Sequence, residues 1–196
     1  MSLKKYSLWL CPPANSAQHR KLDSAIGQFS SMLESPRFVP HLTLHSPAYA
    51  ESDADILEQV RDYVKQLGEK LGDNVCANGI PIGIRDVATG ARFYQCVLLD
   101  APFSDDLLRA NAIAREKWTT VKDSAYYPHV SLIYGDYGQD KREALARQIR
   151  NSLPANIRDD LSFVAKDVLV VSTVGPCEEW RSIGSVSIAS GEITYL

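Results

Sequence analysis

The sequence predicts an α+β fold: a duplicated, bilobal chain with two mainly antiparallel sheets facing a central cleft and helices on the outer faces. Two observations predict it. The segment Pro40-His41-Leu42-Thr43-Leu44 returns as Pro128-His129-Val130-Ser131-Leu132, with the two histidines 88 residues apart. The order strand–helix–strand–helix–hairpin also runs through the chain twice, at matching spacing.

The elements follow in order. Tyr6 to Pro12 is a short apolar run closed by Pro12-Pro13 and reads as a buried strand. Asn15 and Ser16 are N-cap residues for a helix whose face is Leu22, Ile26, Phe29 and Leu33, ended by Pro36. Phe38 to Ser46 is a strand carrying the first histidine. Ser52 or Asp53 caps a second helix, with Leu57, Val60, Val64, Leu67 and Leu71 as its stripe and Gly72-Asp73-Asn74 as its stop. Ile80 to Val87 and Arg92 to Leu99 are expected to be strands joined through Thr89-Gly90.

The order then restarts. Tyr94 stands 88 residues after Tyr6, and Ser104 stands 88 after Ser16. A strand runs to Leu99. Pro102 and Ser104 open a helix with Leu107, Ala110, Ala114 and Trp118 on one face. Tyr127 to Tyr134 is the strand of the second histidine. A helix with Leu145, Ile149 and Leu153 stops near Pro154. Phe163 to Val174 and Trp180 to Ile188 form a last hairpin turning at Gly175-Pro176. With no linker or low-complexity stretch, residues 1–196 are read as one bilobal domain, its repeats spanning about 6–93 and 94–188.

Composition narrows the function. The chain has 196 residues, 45% of them hydrophobic and 23% charged, which is an ordinary globular make-up. Its net charge of −3 argues against a grip on long nucleic acid, which draws most of its affinity from neutralised phosphates. A small ligand is favoured. Cys11, Cys76, Cys96 and Cys177 are scattered without metal-ligand spacing. The N-terminus lacks the apolar segment of a signal peptide, and no run of apolar residues is long enough to span a bilayer. An intracellular, cytoplasmic monomer off the membrane is expected, with no cofactor and no metal.

The repeated motif carries the chemistry. Side chains alternate along a strand, so His41 and Thr43 share a face while Leu42 and Leu44 point to the core. His129 and Ser131 likewise share a face opposite Val130 and Leu132. A lone His-x-Thr is ordinarily a satisfied structural histidine; two copies at matched positions point to one shared site. Two imidazoles serve as general acid and base near neutral pH. Two hydroxyls donate to phosphoryl oxygens. Together they suit an in-line displacement at phosphorus. His45 has the parity of His41 but no counterpart at Ile133, and reads as structural; His19 reads as exposed.

On these motifs the chain resembles the two-histidine phosphoesterase superfamily, most closely its plant and fungal cyclic phosphodiesterase branch. The similarity extends to Tyr6-Ser-Leu-Trp9, Pro36-Arg-Phe-Val-Pro, Phe93-Tyr-Gln-Cys-Val97, the trailing Ile133-Tyr134 and Glu179-Trp180. It implies opening of 2′,3′-cyclic nucleotides to 2′-phosphates, and of ADP-ribose 1″,2″-cyclic phosphate from tRNA splicing to ADP-ribose 1″-phosphate. It further implies His41 and His129 as the acid/base pair, with His129 the base and His41 the acid. Thr43 and Ser131 would bind phosphate, and Tyr134 and Trp9 would line the nucleoside side. By strict alternation Tyr134 points away from His129, so this placement requires the strand to bend or end there. Fungal relatives also allow Golgi association.

Two other readings stand beside this one. An RNA end-processing enzyme, a 3′-exonuclease or a 2′–5′ ligase-type phosphoesterase, would want a basic track, to which Arg37, Arg85 and Arg92 could contribute. A non-catalytic nucleotide-binding module would need no acid/base pair.

Overall fold

The fold is taken from a computed structural model, which describes residues 3–118, 125–153 and 156–196. The first half contains β1 (Lys4–Leu10), α1 (Ala17–Leu33), β2 (Leu42–Ala50), α2 (Asp53–Leu71), α3 (Asp73–Asn78), β3 (Ile80–Ile82) and β4 (Asp86–Thr89). The second contains β5 (Val97–Asp100), α4 (Asp105–Lys117), β6 (His129–Ile133), α5 (Gln139–Ser152), α6 (Ile157–Leu161), β7 (Phe163–Ala165), β8 (Asp167–Ser172), β9 (Arg181–Ser187) and β10 (Ile193–Tyr195).

Three of the longer helices start on a serine cap. Ser16, Ser52 and Ser104 accept from the backbone N–H of His19, Asp55 and Leu107, satisfying donors that the first helical turn leaves open. Asp53, Asp55, Asp105 and Asp106 add negative charge at the positive ends of α2 and α4. The expected stripes face inward: Leu22, Ile26 and Phe29 of α1, Leu57, Val60, Val64 and Leu67 of α2, and Leu107, Ala110 and Ala114 of α4 are buried.

Eight strands form one antiparallel sheet in the order β10-β9-β8-β1-β2-β6-β5-β4, and β3 pairs with β7 in a separate ribbon. From β8 to β4 the order reads alike from either end, each strand of one half facing its counterpart in the other. The two expected sheets are therefore joined, and the junction is narrow. β2 and β6 meet antiparallel at a single register pair, Leu42 with Val130, both fully buried.

Other differences from the expected elements share a cause, a change of pairing partner. The run from Ile80 to Val87 divides because β3 pairs with β7 while β4 pairs with β5. The run from Phe163 to Val174 divides in the same way, β8 crossing to β1. At the entry to β3, Gly79 has φ +82°, and a Cβ there would strike the Ala165 carbonyl oxygen. β2 begins at Leu42 and continues past Ser46 to Ala50. Residues 93–95, expected in a strand, form one 3₁₀ turn instead. The expected stop at Pro154 lies outside the described residues. Among those described, no helix is long and apolar enough to cross a membrane.

The Leu42–Val130 pair gives the first test. Leu42→Ala is expected to cost roughly 2–5 kcal/mol in urea unfolding. A loss below about 0.5 kcal/mol, the scale of a surface substitution, would show that the junction is not held there.

Candidate active site

The junction pair sets the site. Antiparallel register centred on Leu42 and Val130 places His41 beside Ser131 and Thr43 beside His129, all on the face opposite the two core residues. The strands expected on opposite walls of a cleft are thus immediate neighbours. The local two-fold of an antiparallel pair generates the pseudo-symmetric site. Adjacent strands lie about 5 Å apart, so one phosphate group can meet both motifs.

Each imidazole is oriented by its own proline. Proline fixes its φ and holds the preceding residue extended, which directs the carbonyl two residues before each histidine. His41 Nδ1 bonds the Val39 carbonyl oxygen at 2.6 Å, and His129 Nδ1 bonds that of Tyr127 at 2.7 Å. A carbonyl oxygen only accepts, so Nδ1 carries the hydrogen in both rings. Both Nε2 atoms are left to exchange protons.

Beyond the motifs both strands bulge at matching places. On β2, Trp9 pairs with Thr43 but Leu8 with His45, leaving Leu44 as the extra residue. On β6, Leu98 pairs with Ser131 but Val97 with Ile133, leaving Leu132 extra. A bulge reverses side-chain parity beyond it. His45 is thereby turned off the His41 face to the Leu8 side of the sheet, at the edge of the pocket that Thr43 and His129 also line. There it is buried and stacks on Trp118 with ring centres 5.8 Å apart. The same reversal brings Tyr134 onto the site face, which strict alternation had denied it. Tyr134 is buried, lies flat on Phe38 at 3.8 Å and sits beside Ser131.

Trp9 stands on the site face but is only 4% exposed. Its ring lies 3.6 Å from His41 at 8°, and its Nε1 donates to Ser7 Oγ at 2.8 Å. It backs the histidine and leaves little surface for a base. The open aromatic surface comes from residues the sequence reading did not assign to the site. Tyr94 is 47% exposed and lies 5.5 Å from the half-buried Trp180, which itself tilts against Trp9. In the sequence Trp180 reads as the start of a strand and as a point of family resemblance. Tyr94 had been read as the start of a strand.

A cleft of about 300 Å³ opens beside Thr43 and His129, bordered also by Arg92, Gln95, Asn111, Arg115, Tyr126 and Tyr127. Of the three arginines considered for a basic track, Arg37 is paired with Asp23 and Arg85 with Asp100. Arg92 lines the cleft. Among the described residues, no cluster of three or more His, Cys, Asp or Glu could hold a metal ion. Ser131 Oγ donates to the Tyr94 carbonyl at 2.7 Å.

The two histidines differ electrostatically. Burial, assisted by the charge of nearby His129, pushes the His41 imidazole down to about 4, against the opposing pull of the Val39 carbonyl. Burial also lowers His129, which is opposed by the Tyr127 carbonyl and by the Asp100 carboxylate.

Two imidazoles and two hydroxyls converging on one face of this sheet define a two-histidine phosphoesterase. The chain belongs to the cyclic phosphodiesterase-like protein family, whose model matches residues 4–188. It is 28% identical to a cyclic phosphodiesterase of Arabidopsis thaliana over 159 residues, covering 81% of this chain and 79% of that one. It is 20% identical to a 2′,3′-cyclic-nucleotide 3′-phosphodiesterase of Saccharomyces cerevisiae, over 93% of this chain and 99% of the relative. The fold is shared with E. coli LigT complexed with 3′-AMP (TM-score 0.56, 10% identity, covering 95% and 98% of the two chains). It is shared too with Kluyveromyces marxianus Usb1 (TM-score 0.52, 11% identity, covering 91% and 97%).

Lowered histidines tie stability to pH. Between the folded and unfolded pKa values the unfolded chain binds more protons, so stability falls as pH drops through that window. For His41 the window runs from about 6.5 down to about 4, and the loss is on the order of 3 kcal/mol. Calorimetry is expected to show Tm falling over this range, with a shallower fall in His41→Phe. An equally steep fall in the variant would contradict the assignment.

Proposed function

We propose that the protein hydrolyses nucleoside 2′,3′-cyclic phosphates to nucleoside 2′-phosphates, and ADP-ribose 1″,2″-cyclic phosphate to ADP-ribose 1″-phosphate. The observation that carries this reading is the Leu42–Val130 register, which sets an imidazole and a hydroxyl from each half on one face of one sheet. The names of the plant and fungal relatives support the reaction class.

In this mechanism the cyclic phosphate lies over the β2–β6 junction. Nε2 of His129 takes a proton from water as it attacks phosphorus. Nε2 of His41, as imidazolium, gives a proton to the ribose oxygen that leaves. Acid and base stand on opposite sides of the phosphorus, as in-line displacement requires, and each positioned group contributes roughly 10²–10⁴-fold. Thr43 and Ser131 donate to the non-bridging oxygens, where negative charge builds up. For Ser131 this means exchanging the Tyr94 carbonyl for a phosphoryl oxygen. Trp9 stacks on His41 and offers its π-face to the imidazolium. Tyr94 and Trp180 supply the face on which the base rests, with Tyr134 packed beneath.

Both histidines are depressed, so neither imidazole of the free site carries much charge at neutral pH. The proton for His41 enters with the anionic substrate, whose charge favours the imidazolium. The same repeated arrangement supports treating residues 1–196 as a single bilobal unit. An RNA end-processing role is less favoured, because Arg37 and Arg85 are committed to carboxylates.

His41→Ala and His129→Ala are each expected to lower kcat on 2′,3′-cyclic AMP by 10²-fold or more. Phosphorus NMR is expected to show the 2′-phosphate as product, with turnover unaffected by EDTA. Full activity in either variant, or a 3′-phosphate product, would refute the mechanism. Preference for oligonucleotide ends over cyclic mononucleotides would favour the RNA reading.

A further inference from the structure

Asp100 lies directly across the β5–β6 ladder from His129, so the two side chains share the site face. It is buried to 7% exposure, an unusual place for a carboxylate, and it is braced by a guanidinium. Arg85 Nε donates to Asp100 Oδ2 at 2.6 Å, with a second guanidinium nitrogen on the same oxygen. The Tyr127 hydroxyl faces this carboxylate, whose charge adds to burial in pushing the phenol up. The Tyr127 ring lies over His129 with centres 5.5 Å apart and planes 28° apart, and its carbonyl holds His129 Nδ1. One tyrosine thus touches the imidazole at two points while its hydroxyl faces the carboxylate.

Among the described residues, the other half has no such brace. Continuing the β1–β2 register one step past Leu10 and Leu42 sets Cys11 across from His41, where Asp100 stands across from His129. The counterpart of Tyr127 is Val39, which supplies a carbonyl and no polar side chain. The pseudo-symmetric site is asymmetric at this place.

We propose that Asp100, held by Arg85 across the ladder from His129, is a positioning residue that orients His129 and stabilises its imidazolium, making it the base of the pair. The proposal rests on the acid/base reading above. Among the described residues, the charged and titratable groups facing His129 are Tyr127 from its own segment, Asp100 from β5, Arg85 from the stretch before β4, and His41 from the head of β2. Arg92 and Arg115 stand farther along the cleft. Asp100 is the only carboxylate in this set. When His129 takes the proton from water, Asp100 faces the new positive charge. Among the described residues, the side chains around His41 offer that ring no carboxylate, so its imidazolium gives up its proton more readily.

The test is proton NMR titration of the histidine ring protons together with steady-state kinetics. In Asp100→Asn the His129 titration is expected to fall by about one pH unit. The kcat should drop roughly 10–100-fold, with KM changed less than about threefold and Asp100→Glu restoring part of the rate. Arg85→Gln removes an exposed guanidinium and frees Asp100 from its counter-charge. It is expected to move the His129 titration upward, a sign that simple loosening of the fold would not produce. An unmoved His129 titration in Arg85→Gln, or an unchanged kcat in Asp100→Asn, overturns the proposal. The titration reads the coupling whether or not cyclic phosphates are turned over. Its failure is therefore distinct from failure of the proposed reaction, which His41→Ala and His129→Ala address.

Discussion

One antiparallel residue pair governs this structure. Leu42 and Val130 are where two similar halves meet in a single sheet, and each anchors its strand by a fully buried side chain. Antiparallel pairing carries a local two-fold axis, and strand alternation forces the neighbours of a buried residue to the other face. Two motifs of the form His-aliphatic-hydroxyl, paired through their central residues, therefore yield two imidazoles and two hydroxyls in a square. The remaining elements hold that pair in place. β1 and β5 flank it, and the helix stripes cover its apolar side.

Much of this was legible in the sequence because the signals are local. Serine caps, helical stripes and the paired His-x-hydroxyl motifs need only a few neighbouring residues to be recognised. Partner changes and register are not local, so the joining of the two sheets and the division of the strands at Gly83 and Lys166 were not. The bulges matter most. Strict period-two alternation sets His45 in the site and Tyr134 outside it; one extra residue in each strand, Leu44 and Leu132, reverses both. Asp100 escaped for a related reason. Its counterpart Cys11 is offset from it by one residue more than the motifs are from each other, so a constant spacing does not align the two.

The chemistry follows from how the symmetry is broken. Both histidines share the Pro-His turn and the Nδ1 bond to the backbone, which settles the tautomer and aims Nε2 at the same space. Their surroundings then diverge. His41 is packed against indole and benzyl rings, where a lone charge is costly. His129 stands beside a carboxylate, an arginine and a phenol. A pair of groups whose environments push their proton affinities apart is what acid/base division of labour requires.

The central claim is that both imidazoles surround one phosphate and that its charge draws a proton into the site. Calorimetric titration of 2′-AMP at pH 7, in buffers of different ionisation enthalpy, measures this directly. The account predicts uptake of up to about one proton on binding, lost in His41→Ala and in His129→Ala. Binding with no proton uptake, or uptake unaffected by both substitutions, would contradict it.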